Sequence, residues 1–229
     1  MRQADGISLH FAGARLVARA DGALWWPEQR TLLVADLHLG KPARMARRGG
    51  ALLPPWGDED TLARLAAALD ATEARRVMVL GDGFDDDAAA RELGAEARRQ
   101  LAALALGRDW LWITGNHDAG LDPPRAGLPG RALGEHAMAG IALRHQAGPG
   151  RAGPDISGHW HPAARLAGQR RAAFLIGAGH LILPAFGRFT GGLDANHPSL
   201  AALVPQGLAV LTGSRALAVP WRTGKRAAG

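Results

Sequence analysis

Five short segments of this sequence combine residue types that bind metal ions. They offer carboxylates, imidazoles and one amide oxygen, a mixture that suits borderline divalent ions such as Mn²⁺, Fe²⁺ or Zn²⁺. The segments are Asp36-Leu37-His38, Gly81-Asp82, Gly115-Asn116-His117-Asp118, His145 and Gly158-His159-Trp160-His161. Two such ions about 3.5–4 Å apart can share a carboxylate and a hydroxide, polarise a phosphoryl group and supply the nucleophile that attacks phosphorus. The segments therefore predict hydrolysis of a phosphate ester at a two-metal centre.

The spacing inside two of these segments supports the same interpretation. Asp36 and His38 are two residues apart, and so are His159 and His161. In an extended segment such pairs point to the same side, so each pair is expected to place two ligands together. The histidines outside the five segments lack this context and are expected to be non-catalytic; they are His10, His136, His180 and His197.

The elements that must position these segments can be predicted from apolar patterning. Residues 31–36, 77–80 and 110–113 are apolar runs typical of buried strands, and each ends at one of the segments. Helical spacing predicts helices at 61–70, with Asp58 as its N-cap, and at 88–106. Strands that alternate with helices favour α/β layers, with the site on loops at the strand ends.

Both ends of the chain are predicted to be strand-rich. Short alternating patches at 7–11, 16–19 and 23–26 are separated by turn residues. The last 60 residues are expected to form hairpins, with strands at 173–176, at 180–183, around Leu203 and at 209–211. No change of composition divides the chain, so one domain is expected over 1–229, ending in a frayed basic tail at 222–229.

Composition bounds the possible functions further. The 229 residues include 27 Lys and Arg against 21 Asp and Glu, giving a formal net charge of +6, and Lys41 and Lys225 are the only lysines. Arginine suits phosphate, but a general compositional bias explains the same numbers, so both interpretations stay open. The chain has no cysteine, which excludes disulfides, thiolate zinc sites and iron–sulfur clusters. No long apolar run is present, so no membrane partner and a cytoplasmic or nucleoid-associated location are expected.

The order of the five segments resembles the signature of the calcineurin-like metallophosphoesterases. The pattern D-x-H, G-D, G-N-H-D, H and G-H-x-H spans residues 31–162. Residues 34–41, 158–162 and 183–192 are also similar to blocks of the bacterial ligase-associated DNA damage response endonucleases. The resemblance implies a four-layer αββα sandwich, in which two mixed β-sheets are flanked by helices.

The resemblance also implies a role for each matching residue. One metal ion would be bound by Asp36, His38 and His161. The second ion would be bound by Asn116, His145 and His159, and Asp82 would bridge the two. His117 would protonate the leaving oxygen or stabilise the transition state, and Asp118 would hold the His117 ring by a hydrogen bond.

The sequence departs from the family pattern at two points. Asp85 stands where nuclease relatives often have histidine, and it is followed by Asp86 and Asp87. This acidic run either weakens DNA contact, supports the site from behind the ligands, or simply favours the start of a helix. Gln146 replaces the usual acidic residue after His145, with little effect expected on metal binding.

Several basic residues near the segments are candidates for substrate binding. They are Lys41, Arg44, Arg47, Arg48 and Arg188. The first four either hold phosphates that flank the scissile one or form a solvated helical face. Arg188 lies in a glycine-rich block where Phe186 or Phe189 either stacks on a base or packs in the core of a tight turn.

The function implied is a metal-dependent phosphodiesterase, a nuclease that acts on DNA ends or single strands in repair. By resemblance its cofactors are two divalent ions, with Mn²⁺ the first choice, and its partners are an ATP-dependent DNA ligase and a helicase. Two alternatives stay open. One is the same chemistry on a cyclic nucleotide or phosphomonoester. The other is a metal-binding repair scaffold without catalysis, which the complete set of seven ligand candidates disfavours.

Overall fold

The first sheet carries the strands predicted for the N-terminal half. In the computed structural model, which describes residues 6–50, 52–148, 150 and 153–222, seven strands lie in chain order. They are β1 (Gly6–Phe11), β2 (Ala14–Arg19), β3 (Leu24–Trp26), β4 (Thr31–Val34), β5 (Arg76–Leu80), β6 (Asp109–Ile113) and β7 (Arg131–Leu133). β1 to β4 pair antiparallel, whereas β4 to β7 pair parallel. The prediction for this half is confirmed except that β7 was not foreseen.

Four helices follow the strands of the first sheet. They are α1 (Lys41–Arg47), α2 (Gly57–Asp70), α3 (Asp87–Glu92) and α4 (Ala95–Ala105). The apolar side chains of α2 and α4, among them Leu62, Leu65 and Leu101, pack on one face of the sheet. Within the described residues, no helix has both the length and the apolar character needed to span a membrane.

Two details of the predicted helices were wrong. The helix predicted at 88–106 is divided into α3 and α4, because Leu93 and Gly94 adopt extended backbone angles between them. Gly94 favours such a break since glycine is a poor helix former. The residue before α2 is Trp56, whereas Asp58 lies in its first turn and accepts a hydrogen bond from the Gly40 amide at 2.9 Å. Asp58 therefore ties α2 to the start of α1 rather than capping its own helix.

The second sheet is built from the C-terminal half and is mixed. Its strands are β8 (Glu135–Met138), β9 (Ile141–Arg144), β10 (Asp155–Ser157), β11 (Ala163–Leu166), β12 (Gln169–Ile176), β13 (His180–Ile182), β14 (Gln206–Leu211) and β15 (Leu217–Arg222). The order is β15-β14-β12-β13-β10-β9-β8, and β11 pairs with β12. β9, β10 and β13 are parallel, and the other pairs are antiparallel.

The C-terminal prediction needs two corrections. The segment around Leu203 is not a strand but α5 (Pro198–Leu203), which has proline in its first turn and His197 as its N-cap. Arg222 was assigned to a frayed tail, yet it ends β15 and pairs with Gln206. The rest of the predicted tail, 223–229, lies outside the described residues.

The two sheets pack face to face around a shared core. On β5, for example, Val77 and Val79 face the helices while Met78 and Leu80 face the second sheet. This alternation explains the uninterrupted apolar runs, because a strand buried on both faces needs apolar residues at every position. A third cluster, which includes Leu200 and Leu203 of α5, covers the outer face of the second sheet. The four-layer αββα sandwich is confirmed, with a thin outer layer on this side.

Asp58 makes stability depend on pH. Burial raises its pKa from an ordinary value of 3.8 to about 6, with the neighbouring charges of Glu59 and Asp85 adding to the shift and the bond from Gly40 opposing it. Below both pKa values the Asp58 carboxyl is neutral in the folded and the unfolded state, so it does not change the free energy of unfolding. As the pH rises through this window the unfolded chain ionises first, and the wild type loses stability.

We therefore predict that Asp58→Asn is more stable than wild type by about 1 kcal/mol near pH 8, and that this advantage disappears near pH 4. Urea unfolding of both proteins across this range measures it. Glu73→Gln removes an exposed carboxylate and serves as the control, with no comparable pH dependence expected. An advantage of Asp58→Asn that is equal at all pH values would contradict the prediction.

Candidate metal centre

Each of the five chemically active segments follows the carboxyl end of a strand. Asp36 follows β4, Asp82 follows β5 and Asn116 follows β6, three parallel neighbours in the first sheet. His145 comes directly after β9, and His159 comes after β10, two parallel neighbours in the second sheet. The carboxyl ends of parallel strands share one edge, so both sheets deliver their polar residues to the same place.

The backbone around the candidate ligands is tightly turned. Asp36, His38, Asp82, His159 and His161 all have positive φ angles, between 43° and 68°. The expectation that the D-x-H and H-x-H pairs lie in extended segments was therefore wrong, although the side chains do converge. Left-handed backbone at residues other than glycine costs on the order of 1–3 kcal/mol each and concentrates at functional sites.

Main-chain hydrogen bonds tie the first two loops together. The amide of Asp36 donates to the Gly81 oxygen at 3.1 Å, and the amide of His38 donates to the Asp82 oxygen at 2.9 Å. These bonds continue the pairing of β4 with β5 beyond the ends of the strands. The loops that carry Asp36, His38 and Asp82 thus behave as one unit.

The first group of candidate ligands is Asp36, His38 and His161. One nitrogen or oxygen atom from each lies within 4.8 Å of the others. Asp36 Oδ1 is 3.3 Å from His161 Nε2. Asp36 Oδ1, His38 Nε2 and His161 Nε2 are buried and make no hydrogen bond within the described part of the chain. Buried polar atoms without partners are costly, and a divalent cation would satisfy all three.

The second group contains Asp82, Asn116, His145 and His159. The Nε2 atom of His145 lies 2.9 Å from Asn116 Oδ1, 3.0 Å from His159 Nδ1 and 3.5 Å from Asp82 Oδ2. Two ligand atoms that bind one ion at about 2.0–2.1 Å and at right angles are about 3 Å apart, so these separations fit a shared ion. The bridging role of Asp82 stays a prediction.

Further contacts orient the ligands of both groups. The His145 Nδ1 atom lies 3.3 Å from the Leu80 carbonyl oxygen, so a proton on Nδ1 leaves the Nε2 lone pair free for a cation. The other oxygen of Asp36 accepts a hydrogen bond from the His159 amide at 2.9 Å, which links the two sheets at the site.

Protonation of the two H-x-H imidazoles differs. Burial, followed by the nearby His145, lowers the pKa of His159, which favours the neutral form that binds metal. Burial alone would lower the pKa of His161 as well, but the Asp36 carboxylate 3.3 Å from its Nε2 atom outweighs burial and raises the pKa. A cation between His161 and Asp36 would compete with that proton.

Glycines in the segments allow this close packing. A Cβ atom at Gly81 would overlap the His145 ring, and one at Gly115 would overlap the Asp82 carboxylate. The glycines before Asp82 and Asn116 are therefore required by the short distance between the loops.

Asp85 supports the site from behind the ligands. Its side chain is buried, with Oδ1 2.8 Å from His38 Nδ1 and Oδ2 2.9 Å from Arg44 Nη1. Burial would raise its pKa, but the close His38 ring and the charges of Lys41 and Arg44 outweigh burial and lower the pKa. The ionised carboxylate therefore holds His38 with its Nε2 atom free. Of the roles considered for Asp85, the structure favours support of the site.

The rest of the acidic run has structural roles. Asp86 caps α3, because its Oδ1 atom accepts a hydrogen bond from the Ala89 amide at 2.7 Å. Asp87 accepts a hydrogen bond from the Gly120 amide at 3.2 Å. The interpretation of this run as a helix start is thus confirmed for Asp86.

His117 is held differently from the prediction. Its Nδ1 atom lies 2.8 Å from the main-chain oxygen of Asp85, so the ring donates to the backbone and presents Nε2 elsewhere. Asp118 was expected to hold this ring, and that was wrong. Its carboxylate is fully buried and accepts hydrogen bonds from the Gly115 amide at 2.7 Å and the Phe84 amide at 3.1 Å. Asp118 therefore joins the loops after β5 and β6, and burial raises its pKa.

Most of the candidate substrate-binding cations already have acidic partners. Lys41 and Arg44 face Asp85, and Arg47 binds Asp86 at 3.1 Å. Arg188 Nε lies 2.7 Å from the Asp60 carboxylate. Arg48 is exposed and has no ion pair within the described residues. Charge at this rim is thus largely balanced, and phosphate binding by these five residues stays a prediction.

The sequence left the role of Asp85 undecided. Its support of His38 had only the acidic run as a signal, and that run fitted three roles. Trp56, in the connection between α1 and α2, was not singled out from the sequence.

A family model and one solved structure agree with this geometry. Residues 29–182 match the model of the calcineurin-like phosphoesterase family. Among solved structures, the nuclease MPE of Pseudomonas putida is 30% identical, with a TM-score of 0.73 over 94% of this chain and 100% of that chain. Yfce, a phosphoesterase from E. coli, is 15% identical, with a TM-score of 0.40 over 80% of this chain and 88% of that chain. No curated protein sequence matches this chain.

The fold and the site define a metal-dependent phosphoesterase, a hydrolase. The chain belongs to the calcineurin-like phosphoesterase family, whose members use a dinuclear metal centre. The ligand groups described above are the residues of this chain that fit such a centre.

We predict that Asp85→Ala weakens Mn²⁺ binding about 10–100-fold, because His38 loses the acceptor that fixes its ring. Titration calorimetry of metal-free protein measures this change. Asp85→Asn keeps an acceptor oxygen and is expected to lie between Asp85→Ala and wild type. The neighbouring substitution Asp86→Ala removes a helix cap and is expected to lower stability by about 0.5–2 kcal/mol without changing metal affinity. Equal loss of affinity in both alanine variants would contradict the prediction.

Proposed function

We propose that this protein is a two-metal phosphodiesterase that cleaves DNA. The observation that carries the proposal is the convergence of two groups of buried, electron-rich ligand atoms at one edge of the fold. Similarity to a Pseudomonas putida nuclease over nearly the full length of both chains supports a nucleic-acid substrate. The net charge of +6 is compatible with such a substrate.

Two bound divalent ions would polarise the phosphoryl group and activate water as the nucleophile. Asp36, His38 and His161 would hold one ion, and Asn116, His145 and His159 the other, with Asp82 between them. Oxygen and nitrogen ligands fit Mn²⁺, our first choice, as well as Fe²⁺ or Zn²⁺.

His117 is the group best placed to supply a proton. With Nδ1–H bound to the Asp85 oxygen, a protonated His117 ring can donate its Nε2–H to the leaving oxygen of the substrate. The ring centroid lies 5.1 Å from that of His38, which puts His117 beside the ligands. The main chain of His117 also donates to Asp82 Oδ1 at 2.9 Å and so orients that carboxylate.

The repair role and the ATP-dependent ligase and helicase partners are parts of the proposal that rest on sequence resemblance. The cytoplasmic location is a further part, and it rests on the apolar patterning of the sequence. The pairing of Lys41, Arg44 and Arg47 with acidic side chains favours a second candidate, a phosphodiesterase or phosphatase for small molecules. It leaves less free positive charge at the rim for a long anionic polymer.

One set of assays separates these candidates. We predict that chelated, metal-free protein is inactive and that Mn²⁺ restores hydrolysis of bis-p-nitrophenyl phosphate and of single-stranded DNA. Double-stranded DNA and the phosphomonoester p-nitrophenyl phosphate are tested under the same conditions. Cleavage of the small diester without cleavage of either DNA would replace the nuclease proposal by the small-molecule one. Two bound ions without hydrolysis of any substrate would support a scaffold instead.

We also predict that His117→Ala slows turnover about 10²–10⁴-fold while two ions remain bound, because only proton transfer is lost. Metal analysis and steady-state kinetics on the same preparation test this. Asp82→Ala is the matched variant and is expected to lose at least one ion. If His117→Ala loses metal, His117 is a ligand and its assignment is wrong.

A further inference from the structure

A partly exposed aromatic surface is formed where the segment between β13 and α5 meets the start of α2. It consists of Trp56, Arg188 and Phe189, and we call it the aromatic platform. Trp56 is 49% exposed, whereas the six other tryptophans, all within the described residues, are buried or half-buried. The ring centroids of Trp56 and Phe189 are 5.4 Å apart, and the Arg188 guanidinium carbon is 5.9 Å from the centre of the Trp56 ring. Large exposed aromatic groups at a site rim are typical of binding surfaces.

The platform is joined directly to the first group of ligands. The Gly187 amide donates to the main-chain oxygen of Asp36 at 3.0 Å. A Cβ atom at Gly187 would overlap the Leu37 oxygen, and one at Gly192 would overlap the His161 oxygen. Arg188 and Phe189 lie in the connection between β13 and α5. This segment therefore contacts the backbone of two candidate metal ligands, Asp36 and His161.

Buried contacts hold this segment in place. Arg64 donates to the main-chain oxygens of Phe186 and Asp21, each at 2.9 Å, and stacks on the Phe186 ring. Phe186 itself is fully buried, so the suggestion that it stacks on a base was wrong, and Phe189 is the accessible candidate. The Arg188 amide also donates to Thr61 Oγ1 at 3.1 Å. A platform fixed in advance loses little entropy when it binds a ligand.

Charge at the platform favours a base over a phosphate. The Asp60 carboxylate at 2.7 Å balances the Arg188 guanidinium and keeps it next to Trp56. The planar faces of an arginine, a tryptophan and a phenylalanine are suited to stacking on nucleobases of any identity. A base inside a duplex is already stacked on its neighbours, whereas an unpaired base offers a free face.

We infer that the aromatic platform binds an unpaired nucleobase of single-stranded DNA next to the phosphate that is cleaved. This inference rests on the proposed function and assigns the binding of an unpaired base to three named side chains. The platform then supplies affinity that the rim cations, paired with acidic side chains, cannot supply.

The test compares binding of two fluorescent oligomers of equal length, oligo(dT) and an oligomer of abasic residues, by anisotropy. The metal-loaded full chain carries His117→Ala as the parent, so that cleavage is slow. Adding Trp56→Ala is expected to weaken oligo(dT) binding about 5–150-fold and to change binding of the abasic oligomer less than about twofold. Trp56→Phe should restore much of the difference. Leu106→Ala removes an exposed apolar side chain elsewhere and is the matched control, with unchanged affinity expected.

The inference is overturned if Trp56→Ala changes neither affinity, if it weakens both oligomers equally, or if the parent does not bind oligo(dT). Thermal unfolding checks the fold, and Phe189→Ala gives a second variant if Trp56→Ala is unstable. Failure of the proposed function is seen separately, as absence of cleavage of single- and double-stranded DNA by the Mn²⁺-loaded wild type.

Discussion

The structure depends on bringing electron-rich side-chain atoms from several loops to within about 3 Å of one another. His145 Nε2 lies within about 3 Å of both a second imidazole nitrogen and an amide oxygen, and three further ligand atoms are buried without hydrogen bonds in the described residues. Buried ligand atoms that have lost their hydration and have no hydrogen-bond partner are costly, and a shared cation would offset that cost. Positive φ angles at five of the ligands, and the glycines before Asp82, Asn116 and His159, accompany this close placement.

The two sheets provide the rigidity that this arrangement needs. Each sheet delivers part of the ligand set from the ends of its parallel strands, and the hydrogen bond from the His159 amide to Asp36 joins the two parts. Two buried carboxylates near the ligands have different structural roles. Asp118 holds loops of the first sheet together, while Asp85 orients His38 and, through its main chain, His117. The acidic run thus becomes part of the site without adding unbalanced charge, because Lys41 and Arg44 neutralise Asp85.

Sequence patterns predicted the features that repeat or that obey simple local rules. The apolar runs of β4, β5 and β6 indicated buried strands, and the polar residues after them indicated the ligands. The pattern did not show how Asp36 and His38 converge, since a left-handed turn depends on hydrogen bonds to the loop after β5. The sequence pattern also did not predict contacts between residues that are far apart in the chain. The partner of Asp118 and the contact of Asp58 with Gly40 depend on tertiary packing, and so does the place of Trp56 beside Phe189.

We expect the two ligand groups to bind two metal ions. Anomalous diffraction from crystals of this protein soaked with Mn²⁺ would locate them. Two peaks about 3.5–4 Å apart are expected, one beside Asp36, His38 and His161 and the other beside Asn116, His145 and His159. A single peak, or ions bound away from these residues, would contradict this expectation.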